Sequence, residues 1–154
     1  MNDFDRDVLI ILHDVARLLR TRIDQRARAY AMTRAQWIIL ARLDRQPGMS
    51  QNELATICEV EPITVARLVD RLEARGMVER RADPSDRRVR RLHLLPASEP
   101  IVAEISRYRA DLDAEITEGL DAGQRTALID TLLHIKAGLT AEPANEAAFA
   151  VAGE

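Results

Sequence analysis

Residues 64–95 read TVARLVDRLEARGMVERRADPSDRRVRRLHLL, and the spacing of the apolar residues changes within this stretch. Before Gly76 the apolar residues follow the i, i+3, i+4, i+7 spacing of a helix with one buried face; they are Val65, Leu68, Val69 and Leu72. After Gly76 the pattern alternates, which predicts strands at Met77–Ala82 and Arg88–Leu95 around a turn of composition DPSD. The stretch therefore predicts a helix followed directly by a small β-hairpin.

Helical patterns precede this stretch. Residues 5–30 contain no Pro or Gly and carry an apolar stripe, which predicts a long amphipathic helix. Two capping boxes then predict the starts of further helices, at Thr33 with Gln36 and at Ser50 with Glu53. Pro62 suits the first turn of the helix that ends near Gly76. Three short helices followed by a hairpin are the order of a winged helix-turn-helix, here over residues 33–95.

The helical spacing returns after the hairpin, within residues 97–139. Residues 140–154 are rich in alanine and have no apolar face, so we expect a flexible tail. The predicted fold is mainly α with a small two-stranded β-wing, in a single domain of residues 1–139. In that domain the winged helix-turn-helix is flanked by helical segments at 5–30 and 97–139.

Composition narrows the class of protein. Hydrophobic residues make up 47% of the chain and charged residues 31%, which is typical of a folded soluble domain. No apolar run approaches the ~18 residues of a membrane span, and the acidic start does not resemble a signal peptide. A single cysteine, Cys58, indicates a reducing cytoplasm. The three histidines lie far apart and no nucleophile, base and oxyanion donor come together, so neither a metal site, a cofactor nor an enzyme is expected.

Charge is distributed unevenly along the chain. The formal net charge is −3, yet residues 80–91 contain six arginines and only two acids, Asp83 and Asp86. Residues 94–154, in contrast, carry an excess of seven negative charges. A local reversal of charge indicates either an anionic partner or an ordinary solvated face, and the overall charge does not argue against nucleic acid.

The helix beginning at Pro62 supports the first of these alternatives. Opposite its apolar face lie residues able to meet base edges and phosphates in a major groove: Ile63, Thr64, Arg67 and Arg71. Taken alone, this face could equally be a solvated helix surface. An arginine-rich hairpin beside it can follow phosphates or enter a narrow minor groove. The helix and the hairpin together favour binding to double-stranded DNA.

The chain resembles the MarR family of bacterial transcriptional regulators, and within it the SlyA-like branch. The matching segments are RTRIDQR (20–26), MTRAQWIILARL (32–43), SQNELA (50–55), TVARLVDRLEARGMVERR (64–81) and DPSDRRVRRLHL (83–94). The resemblance implies a homodimer, with residues 5–30 and 97–139 as the dimerisation helices. It also implies a sequence-specific regulator, a repressor or an anti-silencer, that binds a pseudo-palindromic operator. In this family an acid at the position of Asp86 orients the arginines of the wing.

Two sets of residues are predicted to contact DNA. The helix contributes Pro62, Ile63, Thr64, Arg67 and Arg71, and the wing contributes Arg81, Asp86, Arg87, Arg88 and Arg90. The alternative is a helical dimer that binds a ligand or another protein and has lost DNA binding. The acidic C-terminal third favours that alternative.

A ligand site is also predicted, with lower specificity. Trp37 is either a core residue or one wall of a pocket for a small phenolic or aromatic carboxylate, whose charge Arg17 or Arg20 would meet. The resemblance implies ligands of the salicylate type, which would release the protein from DNA. Cys58 is predicted to be an inert, half-buried thiol.

Overall fold

The computed structural model describes residues 6–86 and 88–140. It contains six α-helices and three short strands in that part of the chain. In chain order these elements are α1 (Val8–Arg28), α2 (Arg34–Arg45), β1 (Met49–Ser50), α3 (Gln51–Cys58), α4 (Pro62–Ala74), β2 (Val78–Ala82), β3 (Arg90–Leu94), α5 (Glu99–Ile116) and α6 (Ala122–Thr140). A mainly helical winged helix-turn-helix, as predicted, is confirmed.

The chain divides into two compact units, Met1–Arg109 and Ala110–Glu154. In the second unit, the last turns of α5 connect to α6, and Arg125 binds Asp113 and donates to Thr117 Oγ1 at 2.9 Å. A reciprocal cap forms at the start of α6, where Asp121 and Gln124 each accept from the other's backbone N–H at 2.9 Å. The single-domain organisation over 1–139 stays a prediction.

The core of the first unit joins α2, α3 and α4 to the sheet. Leu40, Leu43, Leu54, Val69, Leu72 and Leu92 are among its fully buried side chains.

Both predicted capping boxes form: Thr33 Oγ1 accepts from the backbone N–H of Gln36, and Ser50 Oγ from that of Glu53. Because each cap satisfies backbone groups that a helix end leaves unpaired, the helix starts are determined locally.

The wing has three strands, not the two predicted. β3 lies between β1 and β2, and both pairings are antiparallel. Met49 pairs with Leu92, and the backbone N–H of Gly48 donates to the carbonyl of Leu92 at 2.9 Å. Gly48 has φ +85°, a conformation that favours glycine. A two-residue strand is too short to show alternation, so only the tertiary pairing reveals it.

The helix boundaries differ from the predictions by a few residues. α1 ends at Arg28, α5 begins at Glu99 after a 3₁₀ turn over Pro96–Ser98, and α6 continues to Thr140. Thr140 is therefore helical, although the predicted tail began there. Residues 141–154, the rest of that predicted tail, lie outside the described residues.

Candidate nucleic-acid interface

Helix α4 separates its residues into a buried and an exposed face, as the sequence predicts. Its four buried side chains are Val65, Leu68, Val69 and Leu72. Pro62 occupies the first turn, and the exposed residues include all those predicted to meet DNA: Pro62, Ile63, Thr64, Arg67 and Arg71. Ile63 is 62% exposed, unusual for a large apolar side chain. We call Ile63, Thr64, Arg67 and Arg71 the recognition face.

The turn between α3 and α4 sets the direction of α4. Glu59 caps α3 in the left-handed conformation, with φ +55°, and the N–H of Val60 donates to the carbonyl of Ala55 at 3.1 Å. A residue other than glycine in this conformation costs about 1 kcal/mol, so the surrounding packing must hold it. The predicted helix-turn-helix includes a turn before Pro62, but a glutamate gives no signal for the left-handed conformation of Glu59.

Arg80 fastens the wing to the helix-turn-helix. Its guanidinium donates to Gln51 Oε1 at 2.9 Å, to the carbonyl of Ala66 at 3.2 Å and to Asp70 at 2.7 Å. It also pairs with Glu73, whose carboxylate accepts from the backbone N–H of Arg80 at 3.0 Å. These contacts connect strand β2 to both α3 and α4. Arg80 is therefore a residue that positions the wing. The sequence alone did not predict this role.

Asp83 organises the base of the wing turn. Its carboxylate is largely buried and accepts from the backbone N–H of Ser85 at 2.7 Å and from Arg91 Nε at 2.7 Å. The hydroxyl of Ser85 donates to the same carboxylate, and this bond and those to Arg91 and the backbone hold the pKa of Asp83 well below its usual range. Arg91 also lies 3.4 Å from Glu53 of α3. The turn is thus held in one shape by paired charges.

Asp86 lies nearer the tip of the wing. Its carboxylate accepts from the backbone N–H of Arg88 at 3.0 Å and from the guanidinium of Arg88 at 3.2 Å. These bonds lower the pKa of Asp86. The expected orientation of a wing arginine by Asp86 is therefore present for Arg88, whose side chain is 91% exposed. Arg87 lies outside the described residues.

The other two predicted wing residues are exposed. Arg81 pairs with Glu79 on the same strand. Arg90 stands opposite Ala82 in the sheet, and no acid within 4 Å of it is seen in the described part of the chain. On the recognition face, Arg67 and Arg71 likewise have no such acid among residues 6–86 and 88–140. Arginines without an acid partner among the described residues therefore lie mainly on α4, and fewer lie in the described part of the wing.

Trp37 is buried in an aromatic cluster that we define as Tyr30, Trp37 and Tyr108. The ring centroid of Trp37 lies 5.7 Å from that of Tyr30 and 6.4 Å from that of Tyr108. The cation at this cluster is Arg26, whose guanidinium lies 5.5 Å from the Tyr30 centroid and 5.4 Å from the Tyr108 centroid. Arg26 binds Glu104, which is only 4% exposed. The guanidinium of Arg26 is therefore already paired with a carboxylate of the chain itself.

Arg17 does not lie at this cluster, and no ring contact or ion pair seen in the described part of the chain places Arg20 there. Arg17 pairs with Asp14 at 3.1 Å on the exposed side of α1. At 100° per residue, Arg17 lies on the side of α1 opposite Arg26 and about 13 Å away along the helix axis. The sequence does not indicate Arg26 for this position because its partner, Glu104, lies in a distant helix.

Three other features of the described residues are relevant. Within residues 6–86 and 88–140, no group of three His, Cys, Asp or Glu side chains is arranged to hold a metal ion. Cys58 is buried, and burial raises the pKa of its thiol. No helix in the part of the chain that the structure describes is long and apolar enough to cross a membrane.

Comparison with known proteins places this arrangement in a family. A family model described as the MarR family matches residues 32–89. The solved structure of the transcriptional regulator PA3341 is 32% identical, with a TM-score of 0.76, and the match covers 84% of this chain and 95% of that one. The chain belongs to the MarR family of transcriptional regulators.

Two further solved structures show the range of similarity within the MarR family. The transcriptional regulator SlyA is 25% identical, with a TM-score of 0.75, over 86% of this chain and 94% of that one. A MarR family regulator from Listeria monocytogenes, solved with 26mer DNA, is 21% identical, with a TM-score of 0.76, over 87% and 89%. The identity to SlyA is below that to PA3341, so the SlyA-like branch stays a prediction.

Proposed function

We propose that this MarR-family chain acts as a homodimeric, sequence-specific DNA-binding regulator in the cytoplasm. The observation that carries the proposal is the recognition face, where exposed Ile63 and Thr64 lie beside Arg67, which is free of acids in the described part of the chain. Arginine can pair with guanine through two hydrogen bonds, and Ile and Thr can contact a thymine methyl. The Listeria relative solved with DNA supports this use of the fold.

Base reading and phosphate contact are assigned to different elements. In the proposal, α4 reads bases through Ile63, Thr64 and Arg67, while the wing meets phosphates or the minor groove. The proposed DNA contacts are Pro62, Ile63, Thr64, Arg67 and Arg71 on α4, with Arg81, Arg87, Arg88 and Arg90 on the wing, and Asp86 as the orienting acid. The contacts of Arg80 with Gln51 and Asp70 support this division, because they fix the position of the wing relative to α4.

Exposed apolar side chains support a homodimer. On α1, Val8 is 62%, Leu9 76% and Leu18 54% exposed, and on α6, Leu133 is 56% exposed. Such surfaces are costly in water and are typical of interfaces. A two-fold dimer matches an operator with inverted half-sites about 10 bp apart. Val8 and Leu18 lie within about 80° of each other around α1, so a Val8→Glu/Leu18→Glu variant should become monomeric by light scattering and lose affinity for the operator.

Selection of binding sites from random DNA duplexes tests the proposal directly. We expect enrichment of one inverted repeat, bound with an affinity that falls steeply between about 50 and 200 mM salt. Enrichment of no inverted repeat would contradict sequence-specific binding. Failure to bind any duplex at low salt would favour the alternative, a ligand- or protein-binding dimer. Whether the regulator represses or activates is a separate question, for which a repressor or anti-silencer is our proposal.

Release by a small aromatic carboxylate is the second part of the proposal. The aromatic cluster under Arg26 supports it, because a ring and a guanidinium lie together there. A ligand carboxylate at Arg26 would compete with Glu104, which is buried and pairs with both Arg26 and Arg107, so loss of one of these partners is costly. Salicylate titrated against Trp37 fluorescence and operator binding tests this, with Arg17→Ala as the comparison. Unchanged operator affinity at saturating salicylate would exclude such control.

A further inference from the structure

A surface pocket lies beside the C-terminal end of α4. Its volume is about 420 Å³, and its lining includes Arg28 from the end of α1, Arg71 and Arg75 from the end of α4, and Thr33 from the start of α2. All three arginines are exposed. We call this concave surface the arginine pocket. Two segments of the chain converge on it, residues 28–36 and 71–75, and 43 to 47 positions separate Arg28 from the other two arginines.

The arginine pocket carries positive charge that no acid in the described part of the chain neutralises. No Asp or Glu is among the residues that line it. None of its three arginines lies within 4 Å of an acid in the ranges 6–86 and 88–140, whereas Arg80 and Arg91 each have two such acids. Like charges that face one concave surface repel one another, and an anion bound between them removes that repulsion.

The start of α2 adds to this positive potential. Thr33 is the N-cap of α2 and lies in the pocket wall, so the positive end of the α2 dipole is at the same place. Helix N-termini favour anions and phosphates in particular. The C-terminal ends of α1 and α4 lie at the same pocket and offset this contribution, so the site depends on the three guanidinium groups, which reach a phosphate with directed hydrogen bonds.

A purely structural role for these arginines explains only part of the arrangement. Arg28 and Arg71 lie in the last turns of α1 and α4, and Arg75 is the C-cap of α4, where positive charge favours a helix. That effect accounts for each arginine separately. It does not account for their convergence on one pocket without an acid.

We propose that Arg28, Arg71 and Arg75 form a phosphate site, which a backbone phosphate of bound DNA occupies. This inference rests on the proposed function. Arg75 lies eight residues beyond Arg67, about 12 Å along α4, which is roughly the width of a major groove. Groove phosphates lie within such a distance of the base edges, so the arginine pocket can meet a backbone phosphate when Arg67 contacts bases. Arg71 then belongs with the phosphate contacts and not with the base readers.

The test compares two double variants with the same change of charge. Arg28→Gln/Arg75→Gln removes two guanidinium groups from the pocket, and Arg42→Gln/Arg45→Gln removes two exposed ones from the last turn of α2, at the far end of that helix. Affinity is measured for the selected operator and for an unrelated duplex at several salt concentrations. Thermal unfolding of each variant shows that it is folded.

We expect the pocket variant to bind both duplexes about tenfold more weakly, with a salt slope lower by about 1 per site and an unchanged selected motif. The α2 variant should bind nearly as the wild type does. If both variants bind DNA equally more weakly than the wild type, the loss comes from net charge alone, and the phosphate site is overturned. An unchanged affinity of the pocket variant would overturn it as well.

Titration with inorganic phosphate separates this inference from the proposed function. Unfolding temperatures are compared in phosphate and in chloride at equal ionic strength. If the wild type binds no duplex, the proposed function fails, and a phosphate-specific rise in Tm that the pocket variant lacks would retain the site for a free phosphate-bearing ligand. Absence of both DNA binding and that rise would overturn the site.

Discussion

The recognition face of α4 and the wing both carry arginines, but these arginines have different surroundings. On α4, Arg67 and Arg71 extend from an exposed surface, and neither has an acid within 4 Å in the described part of the chain. In the wing, Arg80, Arg81, Arg88 and Arg91 each pair with at least one carboxylate. Counted along the sequence, the wing is the more basic region. When ion pairs are taken into account, however, carboxylates neutralise much of the positive charge of the wing.

The difference shows that arginine content alone does not locate a surface for an anion. Paired arginines such as Arg80 connect elements and hold the wing in place, and moving them to a phosphate would leave Asp70 and Glu73 without their partner. Unpaired arginines can meet a phosphate or a base without that cost. The following predictions test this distinction between positioning and contact.

The largest effect is expected for Arg80→Ala. Its removal leaves the carboxylates of Asp70 and Glu73, Gln51 Oε1 and the carbonyl of Ala66 without a donor. We expect the free energy of unfolding, measured with urea, to fall by about 2–4 kcal/mol. The control is Arg81→Ala, whose ion pair is exposed and should contribute at most about 0.5 kcal/mol. Similar losses in the two variants would remove the distinction between Arg80 and the other wing arginines.

Arg67→Ala should separate contact from stability. Because Arg67 has no acid partner in the ranges that the structure describes, its loss should change the unfolding free energy by no more than about 0.5 kcal/mol. Discrimination at one base position in each half-site should fall by about 1–3 kcal/mol, measured as the ratio of affinities for matched and substituted operators. If the selected motif is the same for the variant and the wild type, our placement of the recognition face is wrong.

Arg88→Ala tests whether an exposed, paired wing arginine meets phosphate. We expect all duplexes to bind more weakly by about 1 kcal/mol and the salt slope to fall by about 1, with the selected motif retained. The variant with Arg87→Ala added should lose retention on a heparin column at low salt. A change of motif with Arg88→Ala would instead indicate insertion into the minor groove and reading of its shape.

The smallest effect concerns the wing turn and pH. The pKa of Asp83 is lowered in the folded protein by its bonds to Ser85 and Arg91, so its stabilisation is present above the unfolded pKa of about 4 and is lost as pH falls through the folded value. Asp83→Asn should be less stable than the wild type at pH 7. Urea unfolding at pH 7, 5 and 3 should show a smaller decrease for the variant, and parallel decreases would contradict the assignment.

Local patterns in the sequence determined much of the fold. The capping boxes at Thr33 and Ser50, the position of Pro62 and the spacing on α4 all involve residues within one or two helical turns of one another. Such signals do not depend on the rest of the chain, because neighbours on one helix face are set by 3.6 residues per turn. The exposed positions of the recognition face followed from the same periodicity.

Tertiary structure decided which charges and strands meet. Met49 and Ser50 become a strand only because β3 lies beside them, and Arg80 meets Asp70 only because β2 packs next to α4. In the same way, Arg26, paired with Glu104, is the cation that contacts Tyr30 and Tyr108 of the aromatic cluster, whereas the sequence indicated Arg17 or Arg20 beside Trp37. These pairings join residues from 10 to 78 positions apart. Periodicity carries no information about such distances, since they depend on how whole elements pack.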